Sequence, residues 1–198
     1  ASDLLAYWPF DEGTGTQTAD QSGNNRDITN IGGASWTDGK FGKALSYDNG
    51  STSLPLSAHP PASGTEFSIS FWSHGDPAKL PGKNSTVLES AGASGRILNI
   101  HHPWNNSYIY WDAGNGGTDR IYKRPIDYTQ NLNSLWGKWT YWTFIHNRTS
   151  GMMKIYRNAA LWHTGAGKAR TLGTPNRWYL GANSNGNNYH WHGKVDEL

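Results

Sequence analysis

Hydrophobic positions in this chain come in short bursts and never recur at helical spacing over three turns. Phe67-Ser68-Ile69-Ser70-Phe71 alternates apolar and polar residues strictly, and a period of two puts the two sets on opposite faces of a β-strand. Trp139 to Ile145 and Lys154 to Tyr156 are rich in aromatic and β-branched residues, which pleated, half-buried surfaces favour. Gly, Pro, Asn, Asp and Ser cluster between these runs about every 8–15 residues, the rhythm of short strands joined by turns. Asn84 to Ser94 and Asp112 to Asp119 read as loops, and Arg124 to Ser134 as a longer connection over one sheet face. No linker, internal repeat or low-complexity boundary interrupts the pattern. Residues 1–198 are therefore expected to form one all-β domain, a two-sheet antiparallel β-sandwich.

Composition changes one part of this picture. Leu, Ile, Val and Phe make up only about 16% of residues, a level at which disorder has to be considered. Lys+Arg 17 against Asp+Glu 15 leaves a net charge of only +2, without the self-repulsion that keeps a chain unfolded. The 11 Trp and 10 Tyr supply the missing apolar area. With basic and acidic residues interspersed and no Lys/Arg run, the electrostatic footprint of a nucleic-acid binder is lacking. No apolar stretch approaches the roughly 20 residues of a membrane span. The absence of cysteine excludes disulfides, thiolate metal sites and a cysteine nucleophile.

Several segments, in order, resemble the laminin-G-like, concanavalin-A-like lectin/glucanase domains. They are Leu5-Ala6-Tyr7-Trp8-Pro9-Phe10-Asp11-Glu12-Gly13, Asp20-Gln21-Ser22-Gly23-Asn24, Gly39-Lys40-Phe41-Gly42-Lys43-Ala44-Leu45 and Phe67-Ser68-Ile69-Ser70-Phe71-Trp72. Trp139-Thr140-Tyr141-Trp142, Lys154-Ile155-Tyr156-Arg157-Asn158, Tyr179-Leu180-Gly181-Ala182 and His192-Gly193-Lys194-Val195-Asp196-Glu197-Leu198 continue the series. The resemblance spans nearly the whole chain and implies a jelly-roll. It also implies a secreted or cell-surface setting and covalent neighbour domains in a larger parent protein. One departure is local: Asn158-Ala159 stands where the family commonly has Asn-Gly, so a different turn type is expected there.

An enzyme of this architecture that cleaves glycosides needs two carboxyl groups about 5–9.5 Å apart across the scissile bond. The four Glu, at 12, 66, 89 and 197, are far apart in sequence, and Asp11/Glu12 and Asp196/Glu197 are adjacent pairs that face opposite sides of a strand. A hydrolase or polysaccharide lyase is the less favoured reading, as is a protein-binding adhesion domain. Sugar binding instead calls for a flat aromatic platform beside hydrogen-bonding side chains. Arg96-Ile97-Leu98-Asn99-Ile100-His101-His102-Pro103-Trp104-Asn105-Asn106, Tyr108-Ile109-Tyr110-Trp111-Asp112 and Arg120 supply both within 25 positions. With Arg96 to His102 and Tyr108 to Asp112 as paired strands of a concave sheet, Arg96, His102, Tyr110, Asp112 and Arg120 are the expected lining and Trp104 the platform. For any single Trp or Tyr, a place in the core is the simpler alternative. Tyr189, His190 and His192 form a second candidate cluster. The His-x-His spacing suits a metal couple, but no third ligand is evident nearby. The partner expected is a polysaccharide or oligosaccharide, bound without cleavage.

The resemblance further implies a structural calcium in the oxygen-rich turn Asp20-Gln21-Ser22-Gly23-Asn24-Asn25, with Asp20, Asn25 and the distant Asp196 as ligands. The alternative for Asp20 is an Asx-turn that binds its own backbone.

Overall fold

The computed structural model describes residues 4–80, 82–114, 119–125 and 135–198. Most of Arg124 to Ser134 and the middle of Asp112 to Asp119 lie outside the described residues. The strands in chain order are β1 (Ala34–Asp38), β2 (Lys43–Asp48), β3 (Thr52–Ser53), β4 (Glu66–Gly75), β5 (Thr86–Gly92), β6 (Gly95–His101) and β7 (Ile109–Ala113). They continue as β8 (Asp119–Lys123), β9 (Thr140–Asn147), β10 (Met152–Arg157), β11 (Ala160–Gly165), β12 (Arg177–Leu180) and β13 (His192–Asp196). A 3-10 turn spans Leu56–Ala58. One sheet runs β1-β2-β13-β4-β9-β10-β11 and the other β3-β12-β5-β6-β7-β8, with every pair antiparallel. The expected two-sheet sandwich is the observed fold.

The core between the sheets is aromatic, as the composition requires. Trp111 of β7 meets Phe67 and Phe144 of the facing sheet at 5.9 and 5.7 Å, and its indole N–H donates to the Ile145 carbonyl there at 3.0 Å. Trp8, Trp136, Trp142, Trp178 and Trp191 are also buried, so these five and Trp111 take the core role. Truncating one such ring to Ala typically costs about 3–5 kcal/mol.

The two sheets differ in how legible they were. β9 alternates buried and half-buried residues from Thr140 to Asn147, because one of its faces meets water. Every residue of β5 is buried, and Asn84 to Ser94, expected as a loop, holds this central strand. Small residues such as Ser90, Ala91 and Gly92 hid it, since they carry neither alternation nor bulk. The Asn158-Ala159 turn also departs from expectation. It joins β10 to β11 with Arg157 opposite Ala160 and has φ of 50° and 64° at its two central residues. This is the positive-φ signature of the type I′ turn that Asn-Gly would make, retained with Ala in the place that favours glycine.

Candidate functional site

Strand register explains which side chains share the outer face of the six-stranded sheet. Across the sheet, Tyr179 pairs with Glu89, Glu89 with Asn99, Asn99 with Asp112 and Asp112 with Arg120. Residues directly opposite one another point to the same side, so these five form one row. Trp111, the neighbour of Asp112, points into the core, which places the row on the outside. The next row holds His101, Tyr110 and Tyr122.

One correction follows from a single extra residue. In β6, Leu98 pairs with Ser90 but Arg96 pairs with Ala91, so Ile97 is a bulge. A bulge reverses the parity of a strand. Arg96 therefore shares the outer face with Asn99 and His101, whereas His102 turns inward. The His102 ring packs against Trp136, Trp142 and Trp191 at 5.1, 4.8 and 5.2 Å. Burial pushes it down to about 3, so it is a neutral core histidine and not a lining residue. His101 takes the place expected for it.

Charges on this face are paired. Arg120 grips Asp112 through Nε to Oδ1 and Nη2 to Oδ2, both at 2.6 Å. The guanidinium of Arg96 spans two carboxylates, with Nη1 3.0 Å from Asp112 Oδ2 and Nε 3.3 Å from Glu89 Oε2. Glu89 Oε1 accepts the Ser184 amide at 3.0 Å, which ties the 183–188 loop to the sheet. Asp112 is fully buried and Glu89 nearly so. Between them lies Asn99, also fully buried, whose amide oxygen and nitrogen have no hydrogen-bond partner.

Aromatic rings flank the row. Trp104 is half-buried at the 104–107 turn, where the Ser107 amide donates to its carbonyl at 2.8 Å. His101 lies 4.1 Å from it and Tyr189 5.1 Å from it. His101 Nδ1 and the Thr86 hydroxyl are 2.9 Å apart. Burial, aided by the nearby Arg96 charge, pushes His101 down to about 3, which leaves its ring neutral. Tyr110 and Tyr122 stack at 5.1 Å, Tyr108 meets Tyr122 at 5.5 Å and the Arg120 guanidinium lies 5.1 Å over Tyr110. Asn106 Nδ2 donates to the Tyr110 hydroxyl at 2.7 Å.

The structure thus brings Arg96, Trp104, Tyr110, Asp112, Arg120 and Tyr189 together. Sequence reasoning missed Glu89, Asn99, His101 and Tyr122. Tyr122 was detectable as the partner of Tyr110 in a β-hairpin, but Glu89 required knowing that its segment is a strand. His190 and His192 point elsewhere: Nδ1 of His190 lies 3.3 Å from the Gly50 carbonyl, and Nδ1 of His192 lies 3.1 Å from Asp48 Oδ1.

Two of the expected calcium ligands, Asp20 and Asp196, are held by donors of the protein itself. Asp20 accepts the amides of Tyr7, Ser22 and Arg26 and the Ser22 hydroxyl at 2.8–3.0 Å, the Asx-turn alternative. Asn25 is exposed at φ 55°. Asp196 Oδ2 accepts the Lys40 and Phe41 amides at 2.8 and 3.1 Å. Its Oδ1 is buried without a partner, and burial pushes the carboxyl up to about 6. Among the described residues, no group of three or more His, Cys, Asp or Glu could hold a metal ion. With both Asp20 oxygens taken by N–H and O–H donors, Asp20, Asn25 and Asp196 do not fit one shared ion.

A cavity of about 980 Å³ lies away from this face, between Leu4–Trp8 and β4. Trp8 and Leu198 exchange backbone hydrogen bonds at 2.7 and 3.1 Å beside it. Its walls carry the rings of Tyr7, Trp72 and Tyr141 together with Asn24, Arg26, Glu66 and Glu197.

The outer face of the six-stranded sheet thus carries buried polar groups and a run of rings. The chain belongs to the concanavalin A-like lectin/glucanases superfamily, whose family model matches residues 48–198. No curated protein sequence matches it. Among solved structures, the binding domain of Paraclostridial Mosquitocidal Protein 1 is similar with a TM-score of 0.72 at 15% identity, covering 98% of this chain and 48% of that one. Domain 4 of AbnA, a GH43 extracellular arabinanase from Geobacillus stearothermophilus solved with arabinotriose, has a TM-score of 0.64 at 22% identity, covering 98% and 89%. The ligand-binding domain of botulinum neurotoxin serotype D, solved with N-acetylneuraminic acid, has a TM-score of 0.65 at 14% identity, covering 98% and 46%. The chain spans about half the length of the toxin domains it matches. At these identities the likeness establishes the fold.

Proposed function

We propose that this chain binds carbohydrate without cleaving it, through the outer face of the six-stranded sheet. The observation that carries the reading is the ring surface of this face, Trp104 with His101 and Tyr189 at one end and Tyr110 with the half-exposed Tyr122 at the other, above Asn99, a buried side-chain amide with neither atom partnered. Leaving such a group unpaired costs about 1–3 kcal/mol, so folding alone gives no reason to place it there. Two adjacent sugar hydroxyls, one donating and one accepting, match both ends of such an amide. Trp104, braced by His101 and Tyr189, presents the flat apolar surface that the C–H face of a pyranose requires. Solved structures of the same fold with arabinotriose and N-acetylneuraminic acid support the choice of ligand class.

The catalytic alternative has a specific observation to answer, because the fold brings Glu89 and Asp112 within one row. Each is bound by a guanidinium, Asp112 by two, and neither presents a free oxygen to the surface. A general acid or nucleophile has to reach the glycosidic bond, and these carboxylates instead fix Arg96 and Arg120. Asn99→Ala tests the binding reading: affinity for oligosaccharide should fall at least tenfold while the melting temperature changes little. Unchanged affinity in a folded variant contradicts it. Release of reducing or unsaturated ends that stops on Glu89→Gln contradicts the absence of cleavage.

A further inference from the structure

We infer that the outer face of the six-stranded sheet selects a neutral oligosaccharide of three or more residues over a single or acidic sugar. The inference rests on the carbohydrate reading above and adds the length and charge of its ligand.

Length follows from the rings. Tyr189, Trp104, His101, Tyr110 and Tyr122 form an unbroken series of four contacts of 5.1, 4.1, 6.0 and 5.1 Å. The series crosses β6, β7 and β8, which at about 4.8 Å between strands gives the last three rings a span of roughly 10 Å. Trp104 near one end and the Tyr110/Tyr122 pair at the other are separate platforms, with Tyr122 half exposed. A monosaccharide covers one platform. An oligosaccharide lying across the strands covers both, with the Asn99 row along its polar edge.

Charge follows from the ion pairs. The two cations of the charged row beside the ring series, Arg96 and Arg120, are already paired with Glu89 and Asp112. Two carboxylates and two guanidiniums sum to zero, and His101 between the platforms is held neutral. Arg177 lies on the far side of the charged row, opposite Ala91, with Nη1 3.0 Å from Asn176 Oδ1. A sugar carboxylate on the ring series would approach Asp112 with no free fork to receive it, and an unpaired charge placed against a buried one is costly. Neutral hydroxyls meet no such penalty.

The test is titration calorimetry of the whole chain against arabino-, xylo-, cello- and manno-oligosaccharides of one to five residues, oligogalacturonates and sialyllactose. At least one neutral series should gain affinity about fivefold or more between one and three residues. Binding should be nearly insensitive to salt between about 0.05 and 0.5 M, because a neutral ligand leaves no charge to screen. Tyr122→Ala should flatten the length dependence while the melting temperature holds. A monosaccharide as tight as its trisaccharide, or an acidic sugar preferred tenfold, overturns the inference and leaves carbohydrate binding standing. No binding by any member overturns both.

Discussion

The two outer sheet faces of this molecule handle their ion pairs in opposite ways. On the seven-stranded sheet and its loops, Lys43 pairs with Asp38 and Lys79 with Asp48 at 2.9 and 2.8 Å, the carboxylates being 88% and 60% exposed. Those pairs sit in water, where an ion pair adds little. On the six-stranded sheet Asp112 is fully buried beneath two guanidiniums, and Glu89 and Asn99 are sunk beside it. Desolvating such groups is expensive, and a buried ion pair is weak grounds for stability. The contrast teaches that similar charged residues serve solubility on one face and fixed geometry on the other.

The largest effect that sharpens this contrast is expected from Asp112→Ala. It strands two guanidiniums and should cost about 3 kcal/mol, because the arginines keep part of their surface in water; chemical denaturation measures it. A change as small as that of a surface variant would put the two faces on an equal footing. Acid should act next. His59, His101 and His102 are pushed down to about 4, 3 and 3 by burial. The unfolded chain therefore takes up protons below about pH 6.5 that the folded chain refuses, and stability is lost as pH falls from there. Asp196, pushed up to about 6, works in the opposite direction between about pH 6 and 4, since its folded form binds a proton more readily. With three groups against one, a net of about two protons, stability should drop by roughly 2.7 kcal/mol per pH unit near pH 5. Melting curves that are flat from pH 7 to 4.5 would contradict this balance.

Trp104→Ala should weaken oligosaccharide binding about 5–30-fold, with a far smaller effect on melting than a core tryptophan such as Trp142→Ala. If the two variants melt alike, Trp104 belongs to the core and not to the binding face. Ala159→Gly should raise stability by about 0.5–1 kcal/mol, since glycine enters a positive-φ turn without a Cβ clash. Smallest of all, Lys79→Gln on the exposed face should leave the melting temperature unchanged within error.

Much of the fold was legible because aromatic alternation in Phe67–Phe71 and Trp139–Ile145 encodes half-buried strands directly. β5 was not, because a strand covered on both faces has no reason to alternate. The site was half legible for a related cause. Arg96, Tyr110, Asp112 and Arg120 lie on strands whose parity could be counted, yet the bulge at Ile97 exchanged His101 for His102, and such a bulge leaves no residue signature. Asp20 shows the converse limit. An oxygen-rich turn reads equally as an ion site or as a self-bonded Asx-turn, and only the hydrogen bonds to Tyr7, Ser22 and Arg26 separate the two.

The most direct test of the binding face is nuclear magnetic resonance of the labelled chain titrated with the tightest neutral oligosaccharide. The account predicts that the Asn99 side-chain amide, the Trp104 indole and the Tyr110 and Tyr122 rings shift first and together, while resonances of the seven-stranded sheet stay in place and no product signals grow in. Shifts confined to the cavity between Leu4–Trp8 and β4, with Asn99 and Trp104 unmoved, would contradict it.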